Sequence, residues 1–202
     1  MNLPPMIGLT GAKYAGKTEA ANYLAKYGYQ GSAITDPMIA MARPLLVHMG
    51  IKDEKEVQRR LAPTGDLKEE PIPGFEWLSG RKILQSIGME LRDAISKPTD
   101  TPPEGNLSGT DSRLFLDLWL WNNREFDFLV NQSVRFPFEA DFTKDSDGVM
   151  WRIVNTDAPP SGDTHASERQ DWPVDREIIA PHSKGIAYLH EQIEQALAEI
   201  SI

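Results

Sequence analysis

The chain has 202 residues, of which 40% are hydrophobic and 25% charged, which is enough for one well-packed domain and short for two. Its formal charge of −9 disfavours non-specific binding to nucleic acid or to an anionic membrane, because both depend on an excess of lysine and arginine. The absence of cysteine excludes disulfides and zinc–thiolate sites. No segment approaches the length of a membrane span, so we expect a cytoplasmic protein without a membrane partner.

The N-terminal segment 6–26 has the pattern of a strand, a glycine-containing loop and a helix. Its central octet, Gly11-Ala12-Lys13-Tyr14-Ala15-Gly16-Lys17-Thr18, matches G-x-x-x-x-G-K-[ST] in full. The glycines permit backbone angles that turn successive N–H groups toward an anion, and the following helix directs its positive dipole end to the same point. Lys17 would reach the β- and γ-phosphates of a nucleoside triphosphate, and the Thr18 hydroxyl would ligate Mg²⁺. The pattern predicts a phosphate-binding loop.

Further elements follow from apolar spacing and from cap and turn residues. They are a weak strand at 29–35, a helix from Asp36-Pro37 to Gly50, a charged helix at 52–61, a loop at 63–74 and a helix at 80–95 capped by Ser79. After a loop at 96–110, Asp111 or Ser112 caps a helix that has Leu114, Leu118 and Trp121 on one side. The remaining predicted elements are strands at 126–130, 149–154 and 178–179, a polar stretch at 155–173 and an amphipathic helix at 186–200.

Five apolar strand candidates separated by helices favour a three-layer α/β sandwich, in which a five-stranded parallel sheet carries helices on both faces. We therefore expect a single domain over residues 1–202, with insertions. Ligands of such sheets bind beyond the carboxyl ends of the strands, which is where the glycine loop leaves the first strand. The connections at 63–79, 96–111 and 155–173 are long, and long ordered loops often clamp a substrate or close over it.

Five stretches of the chain resemble the deoxynucleoside monophosphate kinases of tailed bacteriophages, a branch of the P-loop nucleoside monophosphate kinases. One is the glycine loop, and a second is Asp36-Pro37 with its helix. The others are Gln85-Ser86-Ile87-Gly88-Met89-Glu90-Leu91-Arg92, similar to Q-x-x-G-T-E-x-x-R; Val134-Arg135-Phe136-Pro137-Phe138-Glu139-Ala140, similar to the end of D-V-R-F-P-N-E-A; and His165-Ala166-Ser167-Glu168, similar to H-x-S-E. The glycine loop is shared by many families, whereas the ordered set of the other four is more specific.

This resemblance implies the P-loop kinase fold, ATP as donor, Mg²⁺ and a deoxynucleoside 5′-monophosphate as acceptor. It implies an acceptor-binding insertion at about 37–111 and a lid at about 155–173. Arg92 and Arg135 are its leading candidates for the acceptor phosphate, because a guanidinium meets two oxygens at once. Gln85 is a candidate for reading a base edge, and Asp36, Arg43 and Arg81 are further acceptor-site candidates. Arg152 and Arg169 would supply charge to the transferring phosphoryl group, and His165, Ser167 and Glu168 would order the lid.

Each candidate has a structural alternative. Arg92 would pair with Glu90 or Asp93, Arg135 with Glu139, and Gln85 would be solvated. The chain also departs from the family, because Ser133 stands where the family has an aspartate, which leaves Thr18 as the one clear metal ligand and Asp36 as a candidate substitute. Met89 replaces a threonine, and the lysine expected after Asp-Pro is absent.

Three functions compete at this point. The first is a deoxynucleoside monophosphate kinase, in the host cytoplasm if the protein comes from a phage. The second is another small-molecule P-loop kinase resembling dephospho-coenzyme A kinase, and the third is a nucleotide-binding protein without kinase activity. The sequence leaves open the base, the acting lid arginine and whether the chain forms a homodimer.

Overall fold

The computed structural model describes residues 3–91, 114–157 and 172–200, which belong to two compact units. The first unit comprises Met1–Ala33 and Asn122–Ile202, and the second is Ile34–Trp121. In chain order the strands are β1 Met6–Thr10, β2 Gln30–Ser32, β3 Pro71–Ile72, β4 Phe75–Ser79, β5 Leu129–Asn131, β6 Val149–Val154 and β7 Arg176–Ile179. The helices are α1 Lys17–Leu24, α2 Asp36–His48, α3 Glu54–Leu61, α4 Gly80–Ser86, α5 Leu114–Asn122, α6 Pro137–Asp145 and α7 Gly185–Ile200.

The first unit contains a five-stranded sheet in the order β2-β5-β1-β6-β7, and every pair of neighbours is parallel. This confirms the predicted sheet, with strands close to the apolar runs that predicted them. β1 is the central strand and all five of its residues are buried. Gly8 lies opposite Asn131 of β5 and Met150 of β6. The carboxyl ends of these three strands therefore meet at one edge of the sheet.

Alternation along β1 divides its side chains between two layers of helix. Ile7 and Leu9 belong to a core cluster that includes Leu24 of α1 and Ile193 of α7. On the other face, a Cβ placed on Gly8 would lie 3.0 Å from the Thr143 hydroxyl oxygen of α6. Helices thus cover both faces, as an all-parallel sheet requires.

The second unit combines helices with a short antiparallel hairpin, β3–β4. Ala42 and Leu46 of α2 pack with Val57 and Leu61 of α3 and with Ile83 of α4 in one buried cluster. The predicted loop at 63–74 is wrong at its end, because β3 and the following turn lie within it. The Ser79 cap is confirmed, since its hydroxyl accepts a hydrogen bond from Lys82 N at 3.3 Å. α4 ends at Ser86 and continues as one π turn, Ile87–Leu91, and the rest of the predicted helix, 92–95, lies outside the described residues.

The predicted apolar side of α5 is also wrong. The structure buries Phe115, Leu116 and Trp119, whereas Trp121 is 64% exposed. Its sequence, LFLDLWLWN, is apolar on almost every side, so helical spacing does not select a single face. The predicted cap residues Asp111 and Ser112 lie outside the described residues. No helix in the described ranges is long and apolar enough to cross a membrane.

Gly148, the residue before β6, lies close to backbone atoms of α6 and β1. A Cβ at this position would lie 2.6 Å from Thr143 O and 2.7 Å from Met6 O, which are backbone atoms with little freedom to move. We expect Gly148→Ala to lower the free energy of unfolding by about 1–3 kcal/mol, as overpacking of a tight core does. Chemical denaturation measures this.

Gly31→Ala is the matched control, because its added Cβ would meet Ala21 and Val130 at 3.6 Å, an ordinary contact distance. Equal effects of the two substitutions would contradict the close approach at Gly148.

Candidate functional site

The glycine loop leaves the carboxyl end of β1 and is pressed against β6. A Cβ on Gly11 would lie 2.3 Å from Ile153 O, and the φ angle of Gly11 is +137°, so two constraints favour glycine here. Gly16, with φ +104°, caps the N-terminus of α1. The predicted strand, loop and helix therefore follow one another in the expected geometry, with the start of α1 at the loop.

Lys17 lies over this loop. Its Nζ donates to Gly11 O at 2.5 Å and to Ala12 O at 2.8 Å, so the ammonium group is held by loop carbonyls. Thr18, the second residue of α1, is exposed. Among the other octet residues Ala15 is buried, whereas Lys13 and Tyr14 are exposed.

Uncharged polar groups line the sheet edge beside the loop. Asn131 ends β5 and its Oδ1 accepts a hydrogen bond from Ser133 N at 3.1 Å. Thr10 Oγ1, Asn131 Nδ2 and Ser133 Oγ are buried and have no hydrogen-bond partner among the described residues. Hydroxyl and amide groups therefore occupy the place where the resemblance expects an acid.

The donor set near the loop fits a hydrated divalent ion that is held mainly by phosphate oxygens. Within residues 3–91, 114–157 and 172–200, no three histidine, aspartate or glutamate side chains form a metal cluster. The Thr18 hydroxyl is available at the start of α1, and the buried hydroxyls of Thr10 and Ser133 can accept hydrogen bonds from water. Magnesium commonly binds through few protein ligands together with substrate phosphates.

Arg135 lies on the segment that follows β5, in the same unit as the loop. Its side chain is exposed and makes no ion pair with a carboxylate in the described part of the chain. The suggested pairing with Glu139 is wrong, because Glu139 Oε2 instead accepts from the backbone N–H groups of Arg135 at 2.6 Å and Phe136 at 3.1 Å. In the described part of the chain, the guanidinium is therefore not paired with the carboxylate of Glu139.

Arg152 lies on β6, directly opposite Thr10 in the sheet. It donates to Glu177 Oε1 at 2.7 Å and to Trp172 O at 2.6 Å. These contacts hold the guanidinium between β7 and the segment that precedes it.

The other described candidates belong to the second unit. Asp36 opens α2 and is exposed, and Gln85 is exposed on α4. Arg43 forms an ion pair with Glu54 and Arg81 with Glu69, all on the surface, where such pairs contribute little to stability. Both arginines therefore already have acidic neighbours within their own unit.

Five candidates lie outside the described residues. They are Arg92, His165, Ser167, Glu168 and Arg169.

The sequence analysis missed a second connection at the carboxyl edge, between the ends of β6 and β7. Asn155 Oδ1 accepts from His182 N at 3.2 Å, and Asp157 Oδ2 accepts from Ser183 N at 2.7 Å. The hydrogen bonds from Ser183 lower the pKa of the Asp157 carboxyl. The available signal was an Asn and an Asp two residues apart just after a buried strand, a pattern common in turns.

Comparison with known proteins finds a relative that matches most of this chain. A protein of Acanthamoeba polyphaga mimivirus, provisionally named deoxynucleotide monophosphate kinase, is 30% identical over 199 residues, which cover 93% of each chain. No family model matches the sequence. The match spans 93% of the chain, so it extends over both units.

Gly11 allows the loop geometry to be tested. We expect Gly11→Ala to weaken ATP binding by more than tenfold, equivalent to about 1.4 kcal/mol, because the added Cβ pushes the loop away from β6. Titration calorimetry at a temperature where the variant remains folded measures this.

Gly74→Ala is the control, since Gly74 has φ +81° but open space around the added Cβ. It should cost about 1–2 kcal/mol of stability from backbone strain and leave ATP binding unchanged. Normal ATP binding by Gly11→Ala would contradict the site.

Proposed function

Because the chain belongs to the nucleotide kinase family of the mimivirus protein, we propose that it transfers the γ-phosphoryl group of ATP to a deoxynucleoside 5′-monophosphate. The observation that carries this proposal is the loop between β1 and α1, with Lys17 held over its carbonyls. The name of the relative and the resemblance of the motif around Arg135 support the deoxynucleotide as acceptor. The products would be ADP and the deoxynucleoside diphosphate.

Donor binding would use the loop as a cradle for phosphate oxygens. Backbone N–H groups and the start of α1 would face the β- and γ-phosphates. Lys17 would exchange its two loop carbonyls for phosphate oxygens, which are stronger acceptors because they carry charge. Mg²⁺ bound to the triphosphate would neutralise charge on the β- and γ-oxygens, with Thr18 as its protein ligand.

Acceptor binding would use arginine. Phosphoryl transfer requires the attacking oxygen to be in line with the γ-phosphate, so positioning and charge neutralisation dominate catalysis. Arg135 would hold the acceptor phosphate beside the loop, because its guanidinium is exposed and not ion-paired with a described carboxylate. We propose Arg92, Arg43, Arg81, Asp36 and Gln85 as further acceptor-site residues, and Arg152 with the segment 155–173 as the lid.

A second candidate function is nucleotide binding without phosphoryl transfer. It is favoured by the uncharged edge at Thr10, Asn131 and Ser133, where the resemblance expects a carboxylate. A third, phosphorylation of another small molecule as in dephospho-coenzyme A kinase, shares the loop but lacks the motif from Gln85 to Arg92.

Lys17→Ala tests the kinase directly. We expect it to abolish ADP release while preserving the thermal unfolding midpoint within a few degrees, because the hydrogen bonds of the ammonium group to Gly11 O and Ala12 O lie within the loop and not in the core. ADP release from Mg·ATP is measured with each common deoxynucleoside and ribonucleoside monophosphate, and with dephospho-coenzyme A. Lys144→Ala, an exposed lysine on α6, is the matched control and should retain wild-type turnover.

The acceptor panel separates the three functions. Release that depends on one or two deoxynucleoside monophosphates supports the proposed reaction and names its base. Release that depends on dephospho-coenzyme A favours the other kinase, and ATP binding without stimulated release favours the non-catalytic protein.

Ser133→Asp tests the consequence of the missing acid. A carboxylate at this edge would accept hydrogen bonds from metal-bound water, so we expect the Mg²⁺ concentration for half-maximal turnover to fall about tenfold, the equivalent of one charge-assisted hydrogen bond of about 1.5 kcal/mol. Ser133→Ala, which adds no charge, should not lower that concentration. An equal response of both variants would place the metal away from Ser133.

A further inference from the structure

Glu139 is a buried carboxylate whose spacing from Arg135 suggests an ion pair, but its Oε2 contacts the Arg135 backbone and not the guanidinium. It is 7% exposed and lies four residues after Arg135, the spacing at which a glutamate on a helix would reach an arginine. Its Oε2 instead accepts hydrogen bonds from Arg135 N and Phe136 N, at 2.6 and 3.1 Å. The carboxylate thus satisfies two backbone donors at the start of α6, where the helix dipole also favours a negative charge.

The residue before Arg135 is held from the opposite side. Val134 is fully buried, and its N–H donates to Leu9 O of β1 at 3.1 Å. Leu9 is two residues before Gly11, the first residue of the phosphate-binding loop. The backbone from Val134 to Phe136 is therefore fixed both to the central strand and to α6, and the Cα of Arg135 has a defined position relative to that loop.

The side chain of Arg135 contrasts with its fixed backbone. It is exposed and forms no ion pair with a described carboxylate, whereas Arg152 is paired with Glu177. A carboxylate that paired with the Arg135 guanidinium would compete with an incoming phosphate. Because Glu139 is bonded to backbone N–H groups, it orders this segment without neutralising the arginine.

We propose that Glu139 is a positioning residue for the acceptor phosphate, acting through the backbone of Arg135. This inference rests on the proposed function, in which Arg135 binds that phosphate. Fixing the backbone reduces the number of conformations that Arg135 must lose on binding, so the same guanidinium binds more tightly.

The test is a double-mutant cycle read out in steady-state kinetics. We expect Glu139→Ala to raise KM for the monophosphate roughly tenfold, a typical loss for a hydrogen bond to a charged group, with KM for ATP nearly unchanged. Glu139→Gln, whose amide oxygen can still accept from both N–H groups, should recover most of this loss. In an Arg135→Ala background, Glu139→Ala should have little further effect on KM for the monophosphate, because residues that act through one another are not additive.

A control separates positioning from general destabilisation. Thr143 donates from its hydroxyl to Glu139 O at 3.0 Å within α6, so Thr143→Val weakens the same helix without removing the contact to Arg135. It should lower stability and leave KM for the monophosphate unchanged. If Glu139→Ala does not fold, Glu139→Asp carries the same kinetic expectation, because its shorter side chain retracts the carboxylate from the two N–H groups.

The outcomes distinguish this inference from the function on which it rests. Additive effects in the cycle, an equal rise in KM for ATP, or a Glu139→Gln variant as impaired as Glu139→Ala would overturn the positioning role while leaving the kinase intact. A wild-type protein without monophosphate-stimulated turnover would overturn both.

Discussion

The burial of β1 at the centre of the sheet is the constraint on which the candidate site depends. All five of its residues are buried between β5 and β6, so its carboxyl end has little freedom to move. Two segments of the candidate site are attached to that end, one through the chain and one through a hydrogen bond. The glycine loop follows Thr10 and is pressed against Ile153 O, and Leu9 O accepts from Val134 N just before Arg135. The hydrophobic core thereby places the glycine loop and Arg135 relative to each other.

In the proposed function, the positive charge that attracts phosphate would come from a few groups close to the loop. The chain carries a formal charge of −9, so its overall field repels a nucleotide at long range. Arg43, Arg81 and Arg152 each have a carboxylate partner. In the proposed function, Lys17, Arg135 and the start of α1 would supply the attraction at short range. Recognition should therefore depend on precise contacts within the site more than on electrostatic steering, which salt screens over about 8–10 Å.

The sequence allowed the sheet and the loop to be predicted because both follow from strong local patterns. Apolar runs predicted the five parallel strands, and the octet from Gly11 to Thr18 predicted the loop between β1 and α1.

Predictions from local patterns failed where several structures satisfy the same pattern equally well. The apolar sequence of α5 did not reveal which side is buried, and the proline and glycine residues before Ser79 masked the short hairpin β3–β4. The suggested ion pair between Arg135 and Glu139 was wrong for another reason. A glutamate four residues after an arginine can contact either its guanidinium or its backbone N–H, and the sequence spacing is the same in both cases. The hydrogen bond from Phe136 N to Glu139 shows that the structure adopts the backbone contact.

In the proposed function, nucleotide binding would exchange the hydrogen-bond partners of Lys17 from loop carbonyls to phosphate oxygens. The ammonium group is bonded to Gly11 O and Ala12 O, so the loop carries an internal cation in contact with its own carbonyl dipoles. A phosphate that binds in the loop would compete with these carbonyls for the ammonium group, so the lost carbonyl bonds would offset part of the gain from the phosphate. Weakly basic anions, whose oxygens accept hydrogen bonds little better than a carbonyl, gain almost nothing from that exchange. In the proposed function, Lys17 would therefore favour phosphate oxygens over weakly basic anions.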